Sequence, residues 1–98
     1  MSEQEHSSTL PGVVCMQHYT KLAISEDKPV LLDYWVDSLV PKILIGIRDN
    51  GEKLLVKSAE EYTSPISKIF KIENEYIVVT ENSIYVVSAK IPTRKISS

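Results

Sequence analysis

Residues 66–88 read ISKIFKIENEYIVVTENSIYVVS and form the longest and most regular apolar stretch of the chain. Ile, Val, Tyr, Phe and Thr dominate it. These residues suit a pleated, half-buried surface, and the β-branched ones lose rotamer freedom in a helix. Two clusters, Glu73-Asn74-Glu75 and Glu81-Asn82, break the run with residues that favour turns. The pattern predicts three antiparallel strands in a meander. With Glu81-Asn82 as the loop, Val79 pairs with Ile84, Val78 with Tyr85 and Ile77 with Val86. With Glu73-Asn74-Glu75 as the loop, Ile72 pairs with Tyr76, Phe70 with Val78 and Ile69 with Val79. One face of the last hairpin then carries Ile77, Val79, Ile84 and Val86, and the other carries Tyr76, Val78, Tyr85 and Val87. Both faces are apolar, so each needs cover, from a second layer or by curling into a small barrel.

Upstream, residues 43–57 give a second hairpin. Ile43, Ile45 and Ile47 alternate, Asn50-Gly51 marks a turn, and Leu54 and Val56 return. With Asn50-Gly51 at the tip, Ile47 faces Leu54 and Ile45 faces Val56, which puts all five apolar residues on one face. Gly46 stands mid-strand, where glycine signals a bulge, a bend or a close approach. Residues 30–40, VLLDYWVDSLV, alternate Val30, Leu32, Tyr34 and Val36 with Leu31, Asp33, Trp35 and Asp37. That reads as a strand, with a helix over Leu32, Trp35, Val36 and Leu39 as its competitor. Residues 12–25 admit two readings. Val13, Val14 and Met16 suit a short strand, the reading preferred here, whereas Met16, Tyr19, Thr20 and Ala23 fall at helical spacing. Ser58 with Glu61 three residues later suggests one capped helical turn before Pro65.

The expected architecture is one all-β or β-dominated domain of roughly five to six antiparallel strands in hairpins and a meander. It closes as a small barrel or a two-layer sheet, with at most one or two short helices near 17–25 or 58–62. Residues 12–91 form the domain, 1–11 a disordered polar tail and 92–98 a loose C-terminal tail.

A chain of 98 residues supports one small core. Its 43% hydrophobic and 24% charged residues are ordinary for a small soluble domain. A net charge of −2 argues against nonspecific nucleic-acid binding. One cysteine, Cys15, forbids an internal disulfide and fits a cytoplasmic setting. No apolar run approaches a membrane span, and the first residues lack a secretory pattern.

Chemistry is sparse. Cys15-x-x-His18 has a spacing that two metal ligands can use, but no second pair completes a site, so no metal and no cofactor are expected. The two histidines both lie in the first eighteen residues, no glycine-rich phosphate loop exists, and no catalytic residue stands out. The chain is therefore read as noncatalytic. The run 27–35 resembles the strand that precedes the redox motif of thioredoxin, but Val36-Asp37-Ser38-Leu39 stands where two cysteines are needed, so no redox activity follows. Residues 80–85 resemble turns in small β proteins of viruses and bacteria, which would make the chain an accessory protein of that kind.

The function expected first is a protein-interaction module that pairs with itself as a homo-oligomer, or with another protein. Too much apolar surface for so short a chain motivates it. Tyr34, Trp35, Phe70, Tyr76 and Tyr85 are its candidate anchors, because aromatics dominate binding hot spots. A small-ligand-binding barrel is the alternative, lined by Asp33, Asp37 and Arg48 around Trp35. The last is a nucleic-acid-binding barrel, using Phe70 between Lys68 and Lys71 and the nearby tyrosines, which Glu73, Glu75 and Glu81 oppose.

Overall fold

The meander is present as three paired strands, and its two faces are covered by two different layers. The computed structural model describes residues 10–40 and 42–96. The elements run α1 (Val13–Glu26), β1 (Val30–Leu31), α2 (Trp35–Leu39), β2 (Leu44–Ile47), β3 (Lys53–Val56), β4 (Ile66–Ile72), β5 (Glu75–Thr80), β6 (Ile84–Ser88) and β7 (Thr93–Lys95). One sheet has the order β1-β6-β5-β4 and the other β3-β2-β7. The domain is thus β-dominated, as the patterning predicts. Its seven described strands lie in two open sheets and not in a barrel. Two pairings, β1 with β6 and β2 with β7, are parallel, which a meander of hairpins does not anticipate.

Between the sheets, Val78 and Val87 pack with Ile43, Ile45, Leu55, Ile91 and Tyr34. On the far side of the four-stranded sheet, Ile77, Val79, Ile84 and Val86 pack with Cys15 and Trp35, and Tyr19, Leu22 and Ala23 of α1 close over them. The chain therefore covers both apolar faces of the β5–β6 hairpin by itself. The layers are helix, four-stranded sheet and three-stranded sheet.

Residues 12–25 take the helical reading, not the preferred strand. Cys15, Tyr19, Leu22 and Ala23 recur at positions that share one helical face. Asp27, in the left-handed region at φ 55°, ends α1, and Lys28 N–H reaches back to Ala23 O at 3.2 Å. Pro29 then turns the chain into β1.

The β5–β6 register is the expected one, with Val79 opposite Ile84 and Ile77 opposite Val86. Thr80 N–H donates to Ser83 O at 2.9 Å, and the Thr80 hydroxyl accepts from Asn82 and Ser83 N–H, which locks the loop. The β4–β5 register differs by one residue. Glu73 takes φ 56°, so Glu73-Asn74 alone makes the loop and Ile72 faces Glu75, Phe70 faces Ile77 and Ile69 faces Val78. A slip of one reverses every side chain of β4. The β2–β3 register also differs by one residue, here with a longer loop than expected. Gly51, at φ 92°, closes an Asp49-Asn50-Gly51 loop, and Ile45 pairs with Leu55 and Gly46 with Leu54. Leu55 joins Ile43 and Ile45 in the inter-sheet cluster, and Leu54 is buried on the opposite face.

Three further expectations change. Residues 30–40 are a strand only at Val30–Leu31, and α2 follows. The segment 58–62 forms no helix, although the Ser58 hydroxyl accepts from Glu60 and Glu61 N–H as a cap would. Residues 93–95 are strand β7, tied by Ile45 N–H to Pro92 O and Ile96 N–H to Ile47 O, both 2.9 Å, so the domain runs past residue 91. Of the two predicted tails, residues 1–9, 97 and 98 lie outside the described residues.

Candidate functional site

Tyr34 and Trp35 decide how α2 sits. Adjacent in sequence, they enter opposite sides of the four-stranded sheet: Tyr34 joins the inter-sheet cluster and Trp35 the cluster under α1. Their exposures are 5% and 4%, so these two predicted surface anchors are core residues. Tyr34 packs edge-on to Tyr85 with ring centroids 5.4 Å apart, and Lys57 Nζ lies 4.7 Å from the Tyr34 ring centre. Burial, then the nearby Glu61 carboxylate, pushes the Tyr34 hydroxyl above the ordinary phenol range. Tyr85 is shifted the same way by burial.

Ser38, one turn after Trp35, is also buried. Its Oγ donates to Trp35 O at 2.6 Å and accepts from Ser88 N–H at 2.9 Å. This hydroxyl ties α2 to β6. Ser38→Ala is expected to cost about 1–3 kcal/mol, because it leaves a buried N–H without its acceptor. Urea denaturation of the variant checks this.

With Trp35 and Ser38 turned inward, the rest of α2 faces out. Val36 is 58% exposed and Val40 52%, and Leu39 and the preceding Leu32 are also exposed. Val36 and Leu39 are three apart on α2, and Val40 follows them at its C-cap. A five-residue helix therefore presents an apolar ridge to solvent. Asp33 lies at its N-terminal end, exposed, and Lys42 just past its C-terminal end, also exposed. Asp37 is held by Lys57, 3.6 Å away. No pattern of alternation finds this ridge, since it follows from the helical reading that the alternation of 30–40 competes with.

The other predicted residues are dispersed. Phe70 is partly exposed on the edge strand β4, and Tyr76 and Tyr85 are half-buried against the inter-sheet core. Asp33 and Asp37 do not share a strand face around Trp35: the first is in a turn, the second on α2. Arg48 is elsewhere, at the β2–β3 loop, where it donates to Glu52 at 3.2 Å. The predicted ligand set Asp33, Asp37, Trp35 and Arg48 is therefore not assembled as one pocket. Lys68, flanking Phe70, is engaged by Glu26 at 3.0 Å.

Cys15 is fully buried, whereas His18 is exposed on α1. Burial, with Glu75 and Glu73 adding to it, pushes the Cys15 thiol up to about 11. Among the described residues, no three His, Cys, Asp or Glu side chains cluster as a metal site, and no helix is long and apolar enough to cross a membrane. Comparison of the chain with family models, with curated proteins and with solved structures gives no match.

Proposed function

We propose that this domain is a noncatalytic protein-interaction module that pairs with a second copy of itself through the outward face of α2. One observation carries the reading: α2 buries Trp35 and Ser38 and leaves Val36, Leu39 and Val40 facing water. A folded chain that covers both faces of its central hairpin has no packing need for these apolar side chains, and an apolar ridge with a polar rim suits an interface.

The rim favours a self-pair. A twofold axis perpendicular to α2 lays the two helices antiparallel, in a self-complementary contact. Asp33 at one end then meets Lys42 at the other end of the partner copy. Opposite charges at a rim steer and orient an encounter more than they tighten it.

Sedimentation equilibrium tests the proposal. The wild-type chain is expected to dimerise at micromolar concentrations, with a Kd of about 1–100 µM. Val36→Asp with Val40→Asp is expected to give a monomer of unchanged circular dichroism. Asp33→Lys alone weakens the dimer, and Asp33→Lys with Lys42→Asp restores it. A wild-type chain that stays monomeric across that range defeats the proposal, and failure of the double charge swap to restore pairing defeats the antiparallel arrangement.

A further inference from the structure

The outer face of the three-stranded sheet carries a cleft that shares no residue with the α2 ridge. Its volume is about 360 Å³, within the roughly 300–1,000 Å³ range usual for small-ligand pockets. Val56 and Ile96 supply its apolar surface, with the buried Leu54 beneath, and Ser58, Ala59 and Tyr62 complete the lining. Among the described residues, Arg48 is the one charged residue of the lining.

The register explains why these groups converge. Gly46 pairs with Leu54 and Leu44 with Val56, so this face of β2 and β3 alternates with the core face that carries Ile45 and Leu55. Tyr62 bridges to Val56 and so stands on the same side. Ile96 lies directly over Gly46, where an added Cβ would fall 2.8 Å from Ile96 Cδ1 and 3.0 Å from Val56 Cγ2. Glycine at 46 is what lets two floor residues approach each other.

The guanidinium of Arg48 is placed but not used up. Among the described residues, Glu52 engages it through one contact, Nη1 to Oε1 at 3.2 Å, and Tyr62 lies beside it with the ring centre 5.9 Å from Cζ. A guanidinium has five N–H donors in a fixed fork. One contact leaves an edge able to take a second carboxylate side-on. Among the described residues no carboxylate lines the cleft, and its one charged group is a cation. One arginine over an apolar floor does not suit a polyphosphate either.

We infer that this cleft binds a small amphipathic monoanion, an aromatic or branched aliphatic carboxylate, with the carboxylate on Arg48 and the apolar body on Val56, Ile96 and the Tyr62 ring. The ligand's ring or branch replaces water on the floor, and its charge selects for Arg48.

Amide chemical shifts of the full chain, followed on titration with phenylacetate, phenylacetamide, phenethylamine and inorganic phosphate, test the inference. Phenylacetate is expected to shift Arg48, Leu54, Tyr62 and Ile96 saturably and to bind at least about tenfold tighter than the amide. Phosphate and the amine are expected to bind weakly or not at all. Arg48→Leu removes the preference for acid over amide, and Glu52→Gln, which frees the guanidinium, tightens phenylacetate binding. The inference is overturned by equal affinity for acid and amide, by phosphate matching phenylacetate, by shifts that map elsewhere, or by no saturable shift up to about 20 mM. Should Arg48→Leu fail to fold, the Glu52→Gln titration decides alone: unchanged or weaker binding overturns it.

Discussion

Truncating Ile77 to alanine is expected to destabilise the domain by about 3–4 kcal/mol, whereas Phe70→Ala is expected to cost about 1–2 kcal/mol. Ile77 is fully buried on β5, the strand flanked by β4 and β6, and its side chain lies in the layer sealed by α1. Removing it loses the transfer free energy of three carbons and leaves a cavity that packed neighbours on β6 and α1 cannot close. Phe70 stands opposite Ile77, yet it lies on an edge strand, 37% exposed, and belongs to neither core cluster. A loss of 3–4 kcal/mol is a large share of the roughly 5–15 kcal/mol that holds such a domain. Urea or thermal unfolding of both variants reads the contrast. The same experiment reaches the register: Ile69→Ala and Val78→Ala should couple by at least about 0.5 kcal/mol, while Ile69→Ala and Val79→Ala should be additive. Coupling to Val79 in place of Val78 would mean that β4 is set one residue away from its observed pairing.

That register also marks how far the sequence could be read. Strand character in 66–88 was plain, because β-branched and aromatic residues fill it and Glu-Asn clusters cut it. The last hairpin was legible to the residue, since Glu81-Asn82 is short and Thr80 and Ser83 close it with local hydrogen bonds. Both other hairpins hid their register in the choice of the residue that takes positive φ. Asn74 looked the natural candidate, but Glu73 takes it and shortens the loop; Gly51 takes it in the other hairpin, where the loop is longer than Asn-Gly suggests. Each choice moves the count by one and exchanges the inside of a strand for its outside. Leu54 and Val56 illustrate the result: the slip removes them from the inter-sheet core and sets them on the face of the Arg48 cleft.

The α2 ridge was hidden for a different reason. Residues 30–40 fit a period of two and a period near 3.6 almost equally, and tertiary contacts decide between them. Trp35 and Ser38 both reach the core, three residues apart, which only a helical turn allows. Parallel pairing of β1 with β6 was equally out of reach, since it joins segments more than fifty residues apart through Pro29 O and Ile84 N–H. What sequence patterning could supply was the two-faced apolar character of β5 and β6. It also implied that both faces need cover; that α1 and the second sheet provide this cover follows only from the packing.

Cys15 gives the sharpest chemical prediction, because its environment argues against reactivity on every count. The thiol is fully buried, and its pKa is pushed up from 9.0 to about 11 by burial first and by Glu75 and Glu73 second. Thiolate, not thiol, attacks disulfides and alkylating agents, so ionisation alone lowers the rate about hundredfold near neutral pH. Burial multiplies that reduction, since reagent reaches sulfur only when the α1 layer opens. Native protein is therefore expected to react with an aromatic disulfide reagent at least about a hundredfold more slowly than protein in denaturant. Rapid, complete labelling in native buffer would show that α1 does not seal the sheet. The same shift fixes a pH dependence. Between the ordinary thiol range near 9 and about 11, the folded chain keeps a proton that the unfolded chain releases, so stability is whole below pH 9 and falls as pH rises toward 11. The loss is on the order of 2 kcal/mol. Tyr19, Tyr34 and Tyr85 are raised as well and add a fall of the same sign above pH 10. Cys15→Ala separates the two contributions: the variant should lose less stability than wild type from pH 9 to 11 and run parallel to it below. If both proteins trace the same curve, the thiol ionises over the same pH range folded and unfolded, and neither burial nor the Glu73–Glu75 hairpin shifts it.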